Sequence, residues 1–374
     1  MTFDELVTVF RRWLLMPDDS LLRLVAACCV AHHLAGDPLW LLILAPSGSG
    51  KTEMLRPFSG LAFCRDVSKL TPRTLWSGHQ AVDPLINQLD GKVIIVKEMG
   101  TLLSLNRNAI GEVLGQLREV YDGYLTADYG NGRKVVWNGR VGLVAAGVPM
   151  IERSLSLDSQ LGERFIYYRP PEVERLETAR RSLNHAGREE AMRKELSEAV
   201  TIWWNANPPV RGTRTPRADL LERLARLASW VTAVRSAPPR DHEHQIELAT
   251  PPESPGRMPK ALLALSGALA HVRGGGRLTR DDYALVRRVA LDSAPAGKIG
   301  IIRALVDAHR PLTVAAIQEE IRVAHSTADR WCEDLWFMKV LDRAGAGRRG
   351  DAYLYRLAPL TTDLLKGTSV ADFG

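Results

Sequence analysis

The chain has 374 residues, 45% of them hydrophobic and 25% charged, with 49 basic against 43 acidic residues and a formal net charge of +6. Those proportions exclude a disordered chain and allow a core divided between two or three domains. The mild basic excess permits a nucleic-acid partner without proving one.

Four cysteines, with no CxxC pair among them, make neither a disulfide framework nor a metal knuckle, which fits a reducing compartment. The longest apolar runs, 24–31 and 40–45, are far shorter than a membrane span. The opening MTFDELVTVFRR lacks the basic start and apolar run of a signal peptide. The expectation is a cytoplasmic protein with no membrane partner.

Residues 1–36 read as helices, with Leu6, Val9, Phe10 and Trp13 at helical spacing and Asp18 or Asp19 as a cap. Residues 40–44 form a short apolar strand that ends in a glycine-rich turn, and 93–96 and 141–146 are two further buried strands. Helical patterns lie between them at 53–61 and 110–121. Buried strands alternating with helices predict a parallel sheet covered on both faces.

Within 37–171 two shorter strands, 124–129 and 134–137, flank Gly130-Asn131-Gly132, and Asn-Gly is a strong hairpin signal. Beyond Pro171 the pattern turns helical. Residues 172–204 read as one long charged helical region and 217–234 as another. A proline-rich connecting loop follows from Ser236 to Pro259, and 260–271 and 280–292 complete a helical region over 172–293. The charge alternation in 172–198 predicts a solvated helix face, and His242 and His244 read as exposed loop histidines.

Residues 294–298 read as a linker and 299–360 as a separate small domain, with 361–374 as a tail. In that domain a helix over 299–308 precedes one capped by Thr313 that runs to Ile321. A third helix, 327–338, is capped by Ser326. A hairpin of 340–344 and 352–357 then closes around a turn bearing Arg348 and Arg349. Three helices and a basic two-stranded wing resemble a winged helix.

Ala45-Pro46-Ser47-Gly48-Ser49-Gly50-Lys51-Thr52 fits the P-loop pattern, with Ala45 at its first glycine position, between a buried strand and a helix. Gly48 and Gly50 let backbone N–H groups surround phosphates, Lys51 reaches the terminal phosphates, and Thr52 offers a hydroxyl to magnesium. The cofactors expected are ATP and Mg, and Glu53 completes the candidate nucleotide-binding set. Val96-Lys97-Glu98 puts a carboxylate at the end of a strand expected beside the P-loop strand, where it can orient water.

In their order, these motifs and Leu161-Gly162-Glu163-Arg164-Phe165 resemble the AAA+ module of MCM-type helicases, in particular the shorter relatives carried by phages and mobile elements. The resemblance spans about residues 40–169. The segment from Pro252 to Val289 resembles that family's lid. The fold implied is α/β: a P-loop AAA+ domain with a parallel sheet, a helical lid and a C-terminal winged-helix domain.

The resemblance assigns catalytic roles to Lys51, Glu98 and the arginine finger Arg164, with Arg257 as a lid arginine reaching a neighbour's nucleotide. It places Arg133 and Lys134 of the hairpin on single-stranded DNA in the pore of a hexamer. The winged-helix pattern itself suggests duplex contacts through His325, Thr327, Arg330, Arg348 and Arg349, with protein contact as the alternative; Trp331 and Trp336 read as core, and Glu333 and Asp334 lower the helix's basicity.

Three features depart from the family. Lys97 stands where its magnesium-side aspartate is expected, and Val148 where a polar residue is expected. About forty residues precede the P-loop, an expectation of no N-terminal DNA-binding domain. Read without the resemblance, Arg164 is a surface arginine paired with Glu163 or Glu152, Arg257 a helix-start residue beside Glu253, and the hairpin a solvated edge turn. The leading expectation is an ATP-driven DNA motor, a helicase or helicase-like ATPase. Its rival is a nucleotide-gated initiator, loader or regulator that hydrolyses slowly and unwinds nothing.

Overall fold

The computed structural model describes residues 1–77, 83–152, 164–209, 217–243, 245–248, 250–345 and 352–365. They form an α/β protein of two compact units, Met1–Arg214 with Leu263–Leu285, and Thr215–Leu262 with Val286–Gly374. Among them no helix is long and apolar enough to cross a membrane.

The first unit opens with helix α1 (Phe3–Trp13), held by a capping box in which Thr2 and Glu5 satisfy each other's N–H groups. In α2 (Ser20–His33) it is Asp18, not Asp19, that takes the Ser20 N–H, at 2.9 Å. Ten of that helix's residues are buried, so it lies under the sheet.

Five strands make a parallel sheet in the order β2-β3-β6-β1-β7: β1 (Trp40–Leu44), β2 (Cys64–Asp66), β3 (Lys92–Val96), β6 (Val141–Gly147) and β7 (Phe165–Tyr168). Every residue of β1, β6 and β7 is buried, as a sheet covered on both faces requires. One strand went unread and one expectation is corrected. The polar Cys64-Arg65-Asp66 carries no apolar signal, yet it pairs with β3 as an edge strand. And β3 is not beside β1, because β6 pairs with both and lies between them.

The helix expected over 53–61 is shorter than its pattern. Helix α3 spans Lys51–Leu55 and tightens to a 3-10 turn over Arg56–Gly60. Pro57 has no N–H to continue the ladder, and its ring crowds the Glu53 carbonyl. Helix α4 (Arg107–Asp122) starts at an Asn106 cap and ends at Gly123 in the left-handed region, φ +79°. There a Cβ would meet Gly139 O at 2.8 Å. The hairpin β4 (Tyr124–Asp128) and β5 (Lys134–Asn138) follows, with Leu125, Val135 and Trp137 turned into the core.

The long charged helical region is two helices, α5 (Arg175–Asn184) and α6 (Glu189–Ala206), parted near Gly187 at φ +79°. No residue of α5 is buried, but α6 buries Met192, Leu196, Ala199, Val200 and Trp203. The charged residues Glu189, Glu190, Arg193, Lys194 and Glu198 keep the expected solvated face of α6, while its apolar face packs on α1, where Phe3 meets Trp203 edge-on at 5.9 Å.

Helix α7 (Ala218–Arg235) begins the second unit. The unit boundaries then fall inside α8 (Met258–Val272) and α9 (Arg280–Asp292). Its C-terminal part comprises α10 (Ala296–Ala308), β8 (Leu312–Thr313), α11 (Val314–Ile321), α12 (His325–Phe337), β9 (Leu341–Ala344), β10 (Leu354–Leu357) and α13 (Pro359–Leu365), with an antiparallel sheet β8-β10-β9.

Thr313 caps α11 as expected, accepting from Ala316 N–H at 3.3 Å. Helix α12 starts at His325 after Ala324, so Ser326 lies inside it and is not its cap. The supposed linker is mostly helix, since α10 begins at Ala296 and buries Lys298. Helix α13 covers the start of the expected tail, where Thr361 is fully buried and accepts from Trp230 Nε1 at 3.0 Å.

Candidate nucleotide-binding site

The buried strand β1 feeds a loop whose N-terminal end is fixed by Ala45 N–H donating to Gly147 O at 3.2 Å. From Pro46 to Gly50 the loop is exposed. Gly48 and Gly50 both adopt φ +79°, a conformation that costs an L side chain roughly 1–2 kcal/mol. A Cβ at either would meet nothing within 4 Å, so backbone conformation and not crowding demands glycine there.

Among the described residues no protein acceptor takes the N–H groups of Ser47, Gly48, Ser49 or Gly50. The loop is thus a nest of unpaired donors at the carboxyl end of a parallel strand, where ligands of open α/β sheets bind.

Lys51 is 6% exposed. Its Nζ donates to Ala45 O and Pro46 O, both at 2.6 Å, and to Ser49 Oγ at 3.3 Å. Burial lowers its pKa below the ordinary lysine value, and the Glu98 carboxylate opposes that shift. A donor set of N–H groups and one ammonium, with no carboxylate on the loop, fits a polyphosphate. Thr52 is exposed beside it. The Glu53 carboxylate is held by Arg193 of α6, with Nη2–Oε1 at 2.8 Å, and by Arg56 at 3.5 Å, which fastens α3 to α6.

Glu98 follows β3, exposed, and its Oε1 accepts from Gly100 N–H at 2.7 Å. Two strand spacings, about 10 Å, separate its strand from β1. Lys97 is ion-paired with Asp66 of β2, which also accepts from Ser59 Oγ. Val148 is half-buried at the end of β6 and presents only hydrocarbon.

Arg164 sits at the opposite edge of the sheet. Phe165 pairs with Trp40 at the start of β1, so the length of β1, about 16 Å, separates Arg164 from the loop that follows that strand. Its side chain is 3% exposed and its Nη2 donates to Asp122 at 2.7 and 3.1 Å, with the guanidinium over the Tyr121 ring. The pairing with Glu152 is corrected: Glu152 binds Arg169 at 2.8 Å. Glu163 lies outside the described residues. Asp122 carried one sequence signal, a carboxylate in the last turn of a helix, where the helix dipole disfavours it unless a cation compensates.

On the hairpin, Arg133 is half-buried with its N–H on Asn131 Oδ1 at 3.1 Å, and Lys134 is exposed, 3.7 Å from Asp128. Arg257 belongs to the other compact unit, where its carbonyl accepts from Ala261 N–H at the start of α8.

Arg330 and His325 are exposed on α12, and Thr327 is half-buried there. Arg348 and Arg349 lie outside the described residues. Glu333 and Asp334 of α12 are held by Arg240 of the proline-rich segment at 2.9 and 2.7 Å, and Asp334 is 3.5 Å from buried Lys298. Their charge is compensated within the fold. Trp331 packs on Gly297, and Trp336 lies under the Arg343 guanidinium.

No family model matches the chain, and no curated protein matches it.

Proposed function

We propose that the chain is a P-loop protein that binds a nucleoside triphosphate on the loop from Ala45 to Thr52. Within that class we read it as an MCM-like AAA+ ATPase that couples ATP hydrolysis to DNA. The observation that carries this reading is the loop itself: two glycines at φ +79°, unpaired N–H donors and a buried lysine at the carboxyl end of a central parallel strand. Lys51 holds the terminal phosphates and Thr52 supplies a hydroxyl to magnesium. Glu98 is the carboxylate that orients water.

The position of Arg164 supports a role in trans, since the length of β1 separates it from its own P-loop; that role requires release from Asp122. The hairpin supplies Lys134 and Arg133 to DNA, and the three helices with the β8-β10-β9 sheet supply a winged-helix contact through Arg330. A homo-oligomer, read as a hexamer, is implied by the shared site.

A second reading is favoured by Lys97 and Val148. A lysine neutralised by Asp66 and an apolar side chain contribute nothing to metal or water, so ATP bound but slowly hydrolysed makes a nucleotide-gated DNA-binding regulator.

The test measures ATP binding and turnover with and without single-stranded DNA. Lys51→Ala is expected to abolish turnover. Arg133→Ala with Lys134→Ala is expected to remove DNA stimulation while ATP still binds. Binding with negligible turnover under every condition selects the second reading, and a wild-type chain that binds no ATP overturns both.

A further inference from the structure

A second concave site lies beside β2, the edge strand of the sheet. It is a cavity of about 210 Å³ with Trp76, Pro84 and Leu85 in its walls and Arg65, Arg73 and Gln88 around it. Three strand spacings, about 14 Å, separate β2 from β1, so this is not the P-loop site.

The cavity is built rather than incidental. Ile86 N–H donates to Leu75 O at 3.0 Å, tying its two walls together. Thr71 N–H donates to Thr74 Oγ1 at 2.8 Å, and Gln116 of α4 reaches Pro72 O at 2.7 Å.

Its chemistry is two-sided. Trp76 is 6% exposed and lines the cavity with Pro84 and Leu85, while Thr74, Ser77 and Gln88 make much of the remaining lining polar. Arg65 and Arg73 are both exposed, and among the described residues no carboxylate pairs with either. Among the described residues of the lining the one acid is Asp83, which accepts from Asn87 Nδ2 at 2.7 Å. Convergent polar groups beside an apolar wall are what fix the orientation of a small ligand. This cavity has a volume of about 210 Å³, on the order of a single planar ring, and two exposed cations in its lining.

We propose that this cavity takes one nucleotide unit, its base against Trp76 with the Gln88 amide at the base edge, and its phosphate on Arg65 and Arg73. The unit is supplied either by a single strand or by a free nucleotide. The proposal shares the nucleic-acid side of the reading above and is independent of hydrolysis.

The full chain is titrated with a labelled twenty-residue oligo(dT) and, separately, with dTMP. Arg65→Ala with Arg73→Ala is expected to weaken binding about tenfold or more, and to lower the slope of log K against log salt by about 0.7 for each phosphate no longer neutralised. Arg65→Lys with Arg73→Lys is expected to keep most of the affinity, and ATP binding stays unchanged in both. Oligo(dT) binding without dTMP binding assigns the site to a strand; dTMP binding that the alanine pair abolishes assigns it to a free nucleotide.

Unchanged affinity and slope in the alanine pair overturn the proposal, as does a wild-type chain that binds neither probe. Lys51→Ala, run alongside, loses ATP while keeping oligo(dT). A failure of the P-loop reading therefore leaves a different trace from a failure of this one.

Discussion

Arg164 and Asp122 are forty-two positions apart, yet they form a close ion pair of the first unit. The guanidinium is 3% exposed and the carboxylate 44%, so most of the desolvation falls on the arginine. Hydrogen bonds to charged groups contribute about 1.5–3 kcal/mol, and partial exposure of Asp122 moves the pair toward the lower figure. Arg164→Ala, Asp122→Asn and the double variant, unfolded in urea, are expected to show a coupling of about 1–2 kcal/mol. Additive effects would mean the pair contributes nothing. The same contact bears on function: a finger in trans must exchange Asp122 for a phosphate, so Asp122→Asn is expected to raise turnover where Arg164→Ala lowers it.

The junction of α4 with the hairpin depends on Gly123. It closes the helix at φ +79°, and a Cβ there would lie 2.8 Å from the backbone oxygen of Gly139 at the hairpin's other end. The left-handed conformation alone costs alanine roughly 1–2 kcal/mol, more than the helix propensity alanine gains, about 0.8–1.0 kcal/mol. The clash with immobile backbone adds to that cost. Gly123→Ala is expected to lower thermal stability by several degrees and to reduce DNA-stimulated turnover while ATP binding is retained. Equal loss of ATP binding would show that the effect is global and not confined to the hairpin.

Elements also differ in how plainly they announce themselves. Strands β1, β3 and β6 are runs of apolar residues and were legible, as was the hairpin at its Asn-Gly turn. Strand β2 was not, because an edge strand of Cys-Arg-Asp satisfies its backbone through β3 and needs no apolar side chains. The short α3 carried a signal in Pro57 that the surrounding helical spacing masked.

For the molecule, the stability of the first unit is tied to pH through His32. Its ring is buried against Gly142 of β6, and burial lowers its pKa to about 4, a shift aided by Arg140 and His33 and opposed by Gly91 and Asp90. The unfolded chain takes up a proton near pH 6.5 and the folded chain only near pH 4. Its contribution is therefore complete above pH 6.5 and is lost as pH falls toward 4, by at most a few kcal/mol. Urea unfolding between pH 7 and pH 4 is expected to show this decline, and His32→Gln to flatten it. A decline unchanged in the variant would assign it to other groups.

What the sequence determined by itself was local: the glycine-rich turn after β1 with Gly48 and Gly50 at positive φ, the apolar strands, the alternation that makes a parallel sheet, and the Thr313 cap. Each depends on residues within a turn or a strand of one another. Tertiary structure alone decided the strand order that puts β6 between β1 and β3, and the partners of Lys97, Glu53, Arg164 and Glu333. It also decided the cavity beside β2. Ion pairs and pockets form between residues tens of positions apart, and no local spacing encodes which charged side chain will meet which once the apolar faces have been buried.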